Sequence, residues 1–173
     1  MINQELLFKY NINFHNIYDL ALENNEEFIK VIPEIVSYQK GTWKNNKRKD
    51  FIKINICDIP YDLRCIIDMM RDTNGLIGIK IKIKRELFND KIILKIKLKL
   101  YGIIGSLINN AISLQSIIII NNEDNIKTNI KVNYIIKSLL LNDEISEKIN
   151  IHIKNKLENY YIFNINKYFL EIT

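Results

Sequence analysis

Histidine and cysteine, two residue types that carry much enzyme chemistry, occur only twice each in this sequence. The only histidines, His15 and His152, lie near opposite ends of the chain, and each fits a packed or solvent-exposed position. The only cysteines, Cys57 and Cys65, lack the CxxC spacing of zinc and redox sites. No HExxH, GxSxG or Walker-type phosphate loop occurs. The sequence therefore predicts no catalytic residues, no bound metal and no cofactor.

The strongest local pattern consists of two runs in which lysine alternates with aliphatic residues, one on each side of Asn89 and Asp90. If these two residues form a hairpin loop, the numbers of paired residues sum to 179, so that Ile83 faces Ile96. One face of the hairpin is then aliphatic. The other face carries six lysines, which are Lys80, Lys82, Lys84, Lys95, Lys97 and Lys99.

Two interpretations of these lysines remain open. Opposed like charges on a sheet are unfavourable, and the six lysines together form a positive surface that could hold phospholipid headgroups, nucleic acid or acidic protein. Nucleic acid is disfavoured because no aromatic residues are interleaved among these lysines. Alternatively, codon bias filled solvent-facing positions with lysine. Isoleucine makes up about one residue in five and only four arginines occur, as expected for an AT-rich genome.

Arg85 interrupts the alternation and falls on the aliphatic face with Ile83 and Leu94. It could pair there with a carboxylate, phosphate or hydroxyl of a ligand, or extend to water at the rim of the sheet. Other large apolar residues could line a cavity or fill a core. The cavity candidates are Trp43, Ile81, Arg85, Leu98, Tyr101, Tyr160 and Phe163.

The periodicity of apolar residues places these candidates on a series of strands closed by a long helix. Two short helices, at residues 16–22 and before Pro33, follow a first strand at 6–14. A basic turn is predicted at 44–48, and residues 59–71 favour a short helix, with a strand as the alternative. The other predicted strands cover 36–43, 51–57, the two arms of the lysine hairpin within 76–100, 111–120 and 126–137, and the last helix runs from 143 towards 172.

The length of 173 residues fits a single domain covering residues 1–173. No apolar signal segment follows Met1, and two cysteines without a disulfide pattern indicate a reducing compartment, so we expect an intracellular, cytoplasmic protein. Residues 100–120 are uncharged and long enough to span a bilayer. Because Asn109, Asn110 and Gln115 would be costly in hydrocarbon, two strands around an Asn-Asn turn fit this segment better.

The predicted elements are a strand, two short helices, six strands and a long helix. This order resembles the helix-grip fold of the START-like (SRPBCC) superfamily. The best local matches are the run from Phe14 to Pro33 and the segment Gly41-Thr42-Trp43 with Arg48, which is similar to VASt-type sequences. Coenzyme Q-binding and polyketide cyclase-like proteins belong to the same superfamily. The resemblance implies an α+β fold in which a seven-stranded curved antiparallel sheet wraps around the C-terminal helix. It also implies an apolar cavity for a sterol, lipid, polyketide or quinone.

We therefore expect noncatalytic binding or transfer of a lipid or other hydrophobic small molecule. An anionic membrane, contacted peripherally, is a possible further partner. A structural or interaction protein that uses the six lysines on anionic partners is the alternative. A cyclase-like or hydrolytic enzyme would need polar residues converging inside the cavity. For that role the sequence offers only Arg85 and a few tyrosines.

Overall fold

The computed structural model describes residues 2–19, 23, 26, 33–57, 61–101, 105, 109, 112–122, 128–138 and 143–159. Within these residues lie three helices: α1 (Phe14–Tyr18), α2 (Tyr61–Met69) and α3 (Asp143–Asn159). The strands are β1 (Ile2–Tyr10), β2 (Ile35–Gln39), β3 (Lys47–Ile54), β4 (Ile77–Leu87), β5 (Lys91–Leu100), β6 (Ile112–Asn122) and β7 (Thr128–Ser138).

The strands form one seven-stranded antiparallel sheet in the order β1-β7-β6-β5-β4-β3-β2. Because β1 pairs with β7, the strands β1 and β2 lie at opposite edges. The register of the lysine hairpin is confirmed, since Ile83 lies opposite Ile96 and Lys82 opposite Lys97. The predicted α+β architecture is therefore correct in its sheet.

Side chains alternate between two faces of the sheet. We call the face that carries Ile83 and Leu94 the inner face and the opposite one the outer face. Ile17 of α1 is buried among inner-face residues, and the hydroxyl of Tyr134 donates to Asn150 Oδ1 of α3 at 2.7 Å. Both helices therefore lie on the inner side. The buried core consists of Leu6, Phe8, Tyr10, Ile17, Ile83, Ile92, Leu94, Ile120, Ile130, Val132 and Tyr134.

The turn between β2 and β3 is tighter than predicted. Asn45 and Asn46 have φ of 49° and 57°, and Lys44 pairs with Lys47 across them. Asparagine tolerates this left-handed conformation, which two-residue hairpin turns require. As a result β3 begins at Lys47, several residues before the predicted strand, and β2 ends at Gln39.

Other predictions differ mainly at element ends. The helix favoured over residues 59–71 is present as α2, and the long C-terminal helix is described as far as Asn159. The predicted helix before Pro33 lies outside the described residues apart from Glu26, as does the chain beyond residue 159. Among the described helices none is both long and apolar enough to cross a membrane, and residues 112–120 belong to β6.

Candidate functional site

The inner face of the sheet is aliphatic, and burial along it is uneven. Ile83 and Leu94 are almost inaccessible to solvent. Ile81 and Leu98, which pair across β4 and β5, are only partly buried. Further partly buried positions on this face are Ile79, Ile96, Leu114 and Ile118. The inner face is thus closed at Ile83 and Leu94 and again at Ile77, and it keeps accessible apolar surface between them.

A cavity of about 490 Å³ lies where β2 and β3 approach α3. Its wall includes Ile54, which belongs to the inner face, and His152 and Lys156, which are one turn apart on α3. The remaining lining residues are Pro33, Glu34, Val36, Asn55, Ile56 and Cys57. This cavity is therefore mainly apolar, with ionisable groups on the helix side.

An ion pair at one side of this cavity joins Glu34, the residue before β2, to α3. Lys156 Nζ lies 2.8 Å from Glu34 Oε1. The hydrogen bond from Lys156 lowers the pKa of the Glu34 carboxyl below its usual value, so the pair is charged at neutral pH. Both side chains are partly exposed, and such a pair contributes little to stability. It leaves a charged boundary beside an apolar space.

A second group of polar residues surrounds Trp43, the only tryptophan, on the inner side. Arg85 Nη1 lies 2.8 Å from Glu23 Oε1 and also donates to the Tyr18 hydroxyl. The Arg85 guanidinium carbon lies 4.0 Å from the centroid of the Trp43 ring, and Trp43 Nε1 donates to Glu23 Oε1 at 3.1 Å. Arg85 Nε is buried and has no hydrogen-bond partner among the described residues. Burial raises the pKa of the Tyr18 hydroxyl, which therefore remains protonated at neutral pH.

A buried ion pair supports the same tryptophan from β3. Arg48 and Asp50 are 1% and 2% exposed, and Arg48 Nη2 lies 2.8 Å from Asp50 Oδ2. Asp50 also accepts hydrogen bonds from the Tyr38 hydroxyl at 3.0 Å and from the backbone N–H of Gly41 at 2.9 Å. The Arg48 guanidinium carbon lies 4.7 Å from the Trp43 ring centroid, a distance at which cation–π attraction acts. This pair therefore positions both the chain before Trp43 and the ring itself.

Gly41 is needed where β2 leads towards Trp43. A Cβ atom at this position would lie 2.1 Å from the backbone oxygen of Lys49. Only glycine permits so close an approach of two backbone segments. The resemblance to VASt-type sequences rested in part on this glycine, and here it has a steric reason.

The structure places the predicted cavity residues in three situations. Trp43 and Arg85 are in contact, and Ile81 and Leu98 lie on the same inner face. Tyr101 was predicted to line the cavity, but it lies on the outer face and is 66% exposed. It packs edge-on against Phe51, with 5.9 Å between the ring centroids. The two remaining candidates, Tyr160 and Phe163, lie outside the described residues.

Sequence reasoning did not predict Asp50 or Glu23 as site residues, and it named Arg48 only as part of the resemblance to VASt-type sequences. Asp50 and Arg48 continue the inward alternation of Ile52 and Ile54 in β3, so extending that pattern back by two and four positions would have found them. Glu23 reaches Arg85 across 62 positions of sequence. No periodic pattern indicates such a contact.

On the outer face the predicted lysine pairs of β4 and β5 are joined by two lysines of β3. Lys47 lies opposite Lys84, and Lys49 lies opposite Lys82. We call this set the lysine face. It consists of Lys47, Lys49, Lys80, Lys82, Lys84, Lys95, Lys97 and Lys99.

Comparison of the sequence with known protein families and with curated proteins finds no match. Solved structures do match the fold. A protein from Thermus thermophilus has a TM-score of 0.63 at 7% identity, with 99% of each chain covered. A norcoclaurine synthase from Thalictrum has a TM-score of 0.60 at 10% identity, covering 98% of this chain and 96% of that one. A STAR-related lipid transfer protein from Xanthomonas axonopodis has a TM-score of 0.53 at 5% identity, covering 79% and 71%. The chain therefore has the helix-grip fold of START-like proteins.

Proposed function

We propose noncatalytic binding or transfer of a lipid or other hydrophobic small molecule between the inner face and α3. The observation that carries the proposal is the uneven burial of the inner face. Ile81 and Leu98 remain partly accessible although they lie on the aliphatic side of the sheet. Apolar surface left accessible on a concave site is what an apolar ligand would cover.

The cavity beside α3 supports the same proposal from the edge of the inner face, where Ile54 lines it; Ile81 and Leu98 are not among its lining residues. Its volume of about 490 Å³ falls within the ~300–1,000 Å³ that is usual for small-molecule sites. Val36, Ile54 and Ile56 give it apolar walls, and the Glu34–Lys156 pair adds charge at one side. An amphiphile with an apolar body and one polar end fits such a lining.

The polar residues around Trp43 favour binding over catalysis. Arg48 is paired with Asp50, and Arg85 with Glu23, so these charges already neutralise one another. Tyr18 has a raised pKa and can donate a hydrogen bond at neutral pH, but it is a poor base. The similar structures include both a lipid transfer protein and synthase or cyclase proteins, so the fold alone does not choose between binding and catalysis.

The proposal can be tested with the uncharged apolar fluorophore 1,6-diphenylhexatriene. Trp43 lies on the inner side and is the only tryptophan, so energy transfer from it would report a probe bound nearby. In the variant Val36→Phe/Ile54→Phe two phenyl rings replace smaller side chains that line the cavity. We expect the affinity of this variant for the probe to fall at least tenfold.

The matched control introduces two phenylalanines on the outer face. Leu7 and Ile117 are 60% and 38% exposed there, and Leu7→Phe/Ile117→Phe should leave the affinity within about threefold of the unaltered chain. Equal loss in both variants, or no saturable binding by the unaltered chain, would contradict binding in this cavity.

A further inference from the structure

The lysine face concentrates positive charge with few counter-charges. Glu86 accepts from Lys84 at 3.0 Å and from Lys95 at 2.8 Å. Lys49, Lys82 and Lys97, which form the row across the middle of this face, have no acidic side chain within 4.0 Å among the described residues. Positive charges on neighbouring strands are therefore held side by side.

The repulsion within this set is visible at its centre. The pKa of Lys82 is lowered chiefly by the charge of Lys99, and also by partial desolvation and by the charge of Lys49. Like charges opposed on a sheet cost stability. An anionic surface in contact with the outer face would attract each lysine and so offset the repulsion among them.

Next to the lysine face the same outer surface carries exposed aliphatic side chains among polar ones. Ile117 lies opposite Lys95 and is 38% exposed, and Leu7 of β1 is 60% exposed. Ile93 and Ile119 pair with each other and are partly exposed, and Lys131, which is ion-paired with Glu5, lies between Ile119 and Leu7. One surface of the sheet thus combines the lysine face on β3, β4 and β5 with exposed aliphatic side chains on β5, β6 and β1.

We infer that the outer face docks on an anionic phospholipid bilayer. Lysine ammonium groups are attracted to acidic headgroups, and exposed aliphatic side chains gain by entering the headgroup–acyl boundary. A nucleic acid would use the lysines but would leave Ile117 and Leu7 in water. The inference does not depend on the proposed ligand, since the inner face takes no part in the contact.

Sedimentation with vesicles tests this docking surface. The chain should bind vesicles of phosphatidylcholine and phosphatidylserine, ignore vesicles of phosphatidylcholine alone, and dissociate in about 1 M NaCl, where the Debye length is ~3 Å. In Lys82→Gln/Lys97→Gln we expect the partition coefficient to fall about thirtyfold, because each lysine near an anionic surface contributes about fivefold.

Two matched variants separate surface position from net charge. Lys148→Gln/Lys154→Gln on α3 also removes two positive charges and should keep partitioning within about threefold. Lys82→Arg/Lys97→Arg keeps the charge and should bind as the unaltered chain does. Loss of binding in the α3 variant equal to that in Lys82→Gln/Lys97→Gln would overturn the inference, because net charge alone would then explain the binding.

The exposed aliphatic side chains of the outer face are tested by a separate variant. Leu7→Ser/Ile117→Ser should weaken binding to the mixed vesicles at least threefold without changing its dependence on salt. Binding to a DNA duplex with no measurable binding to the mixed vesicles would overturn the inference in favour of nucleic acid. Unchanged binding of diphenylhexatriene by Lys82→Gln/Lys97→Gln would show that its fold is intact and that ligand binding and membrane docking are separate.

Discussion

The buried pair of Arg48 and Asp50 gives the sharpest test of the described architecture. In Asp50→Asn the side chain keeps its shape but loses its charge. Arg48, which is 1% exposed, then remains buried beside a neutral amide. Removing one partner of a buried ion pair costs about 3–5 kcal/mol, and Arg48 here loses the carboxylate that lies 2.8 Å from its Nη2. Since domains are stable by only ~5–15 kcal/mol, the free energy of unfolding should fall by a large fraction.

The compensating variant Arg48→Met/Asp50→Leu replaces both charges with apolar side chains. Apolar replacement of a buried pair is often neutral or stabilising. Here the Tyr38 hydroxyl and the Gly41 N–H lose their acceptor, and Trp43 loses a cation–π contact. We therefore expect a net cost of about 1–2 kcal/mol, less than that of Asp50→Asn alone.

Urea unfolding followed by the fluorescence of Trp43 measures both changes, because this single tryptophan lies 4.7 Å from the Arg48 guanidinium carbon. A cost below about 1 kcal/mol for Asp50→Asn would refute the reasoning, since loss of the buried carboxylate beside Arg48 should cost about 3–5 kcal/mol. A double variant less stable than the single one would refute it as well.

Three further predictions concern single positions. Gly41→Ala should lower the free energy of unfolding by about 1–3 kcal/mol in urea titrations, because its Cβ would lie 2.1 Å from the Lys49 backbone oxygen; an unchanged midpoint would contradict that close approach. Tyr134→Phe should cost about 1 kcal/mol by the same measurement, since it removes the hydrogen bond to Asn150 that joins the sheet to α3; no loss would mean that this bond does not form in solution. The pKa of Lys82 is lower in the folded state, so the unfolded chain binds more protons in the alkaline range just below the usual lysine pKa, and stability should rise with pH there. Thermal melts across that range should show the rise in the unaltered chain and a smaller one in Lys82→Gln; the same slope in both would exclude repulsion at this position.

The sequence predicted the lysine hairpin correctly because its evidence is local. Asn89 and Asp90 form a short loop between two regular alternations, so the register follows from the loop length alone. The helix α2 was also predicted, from apolar residues at helical spacing and the proline near its start.

The errors around Trp43 have a physical origin in turn geometry. Residues 44–48 were predicted as one basic turn, but the actual turn consists of Asn45 and Asn46 in the left-handed region. The strand therefore begins earlier, and alternation directs Arg48 and Asp50 inward, where they are buried. In β5 the alternation of side chains, continued one residue past Leu100, puts Tyr101 on the outer face.

The partners of Arg85 could not be predicted in the same way. Its contacts come from Tyr18, Glu23 and Trp43, which are distant in sequence. Such contacts depend on how α1 and the β2–β3 turn lie against the sheet. Local periodicity carries no information about that packing.

Native mass spectrometry of the gently purified chain tests the central claim most directly. If the space between the inner face and α3 holds an apolar ligand, part of the chain should carry an extractable hydrophobic molecule. That extra mass should be absent from Val36→Phe/Ile54→Phe and present in Leu7→Phe/Ile117→Phe. A chain that shows only its own mass in all three forms, even after incubation with lipid extract, would contradict the claim.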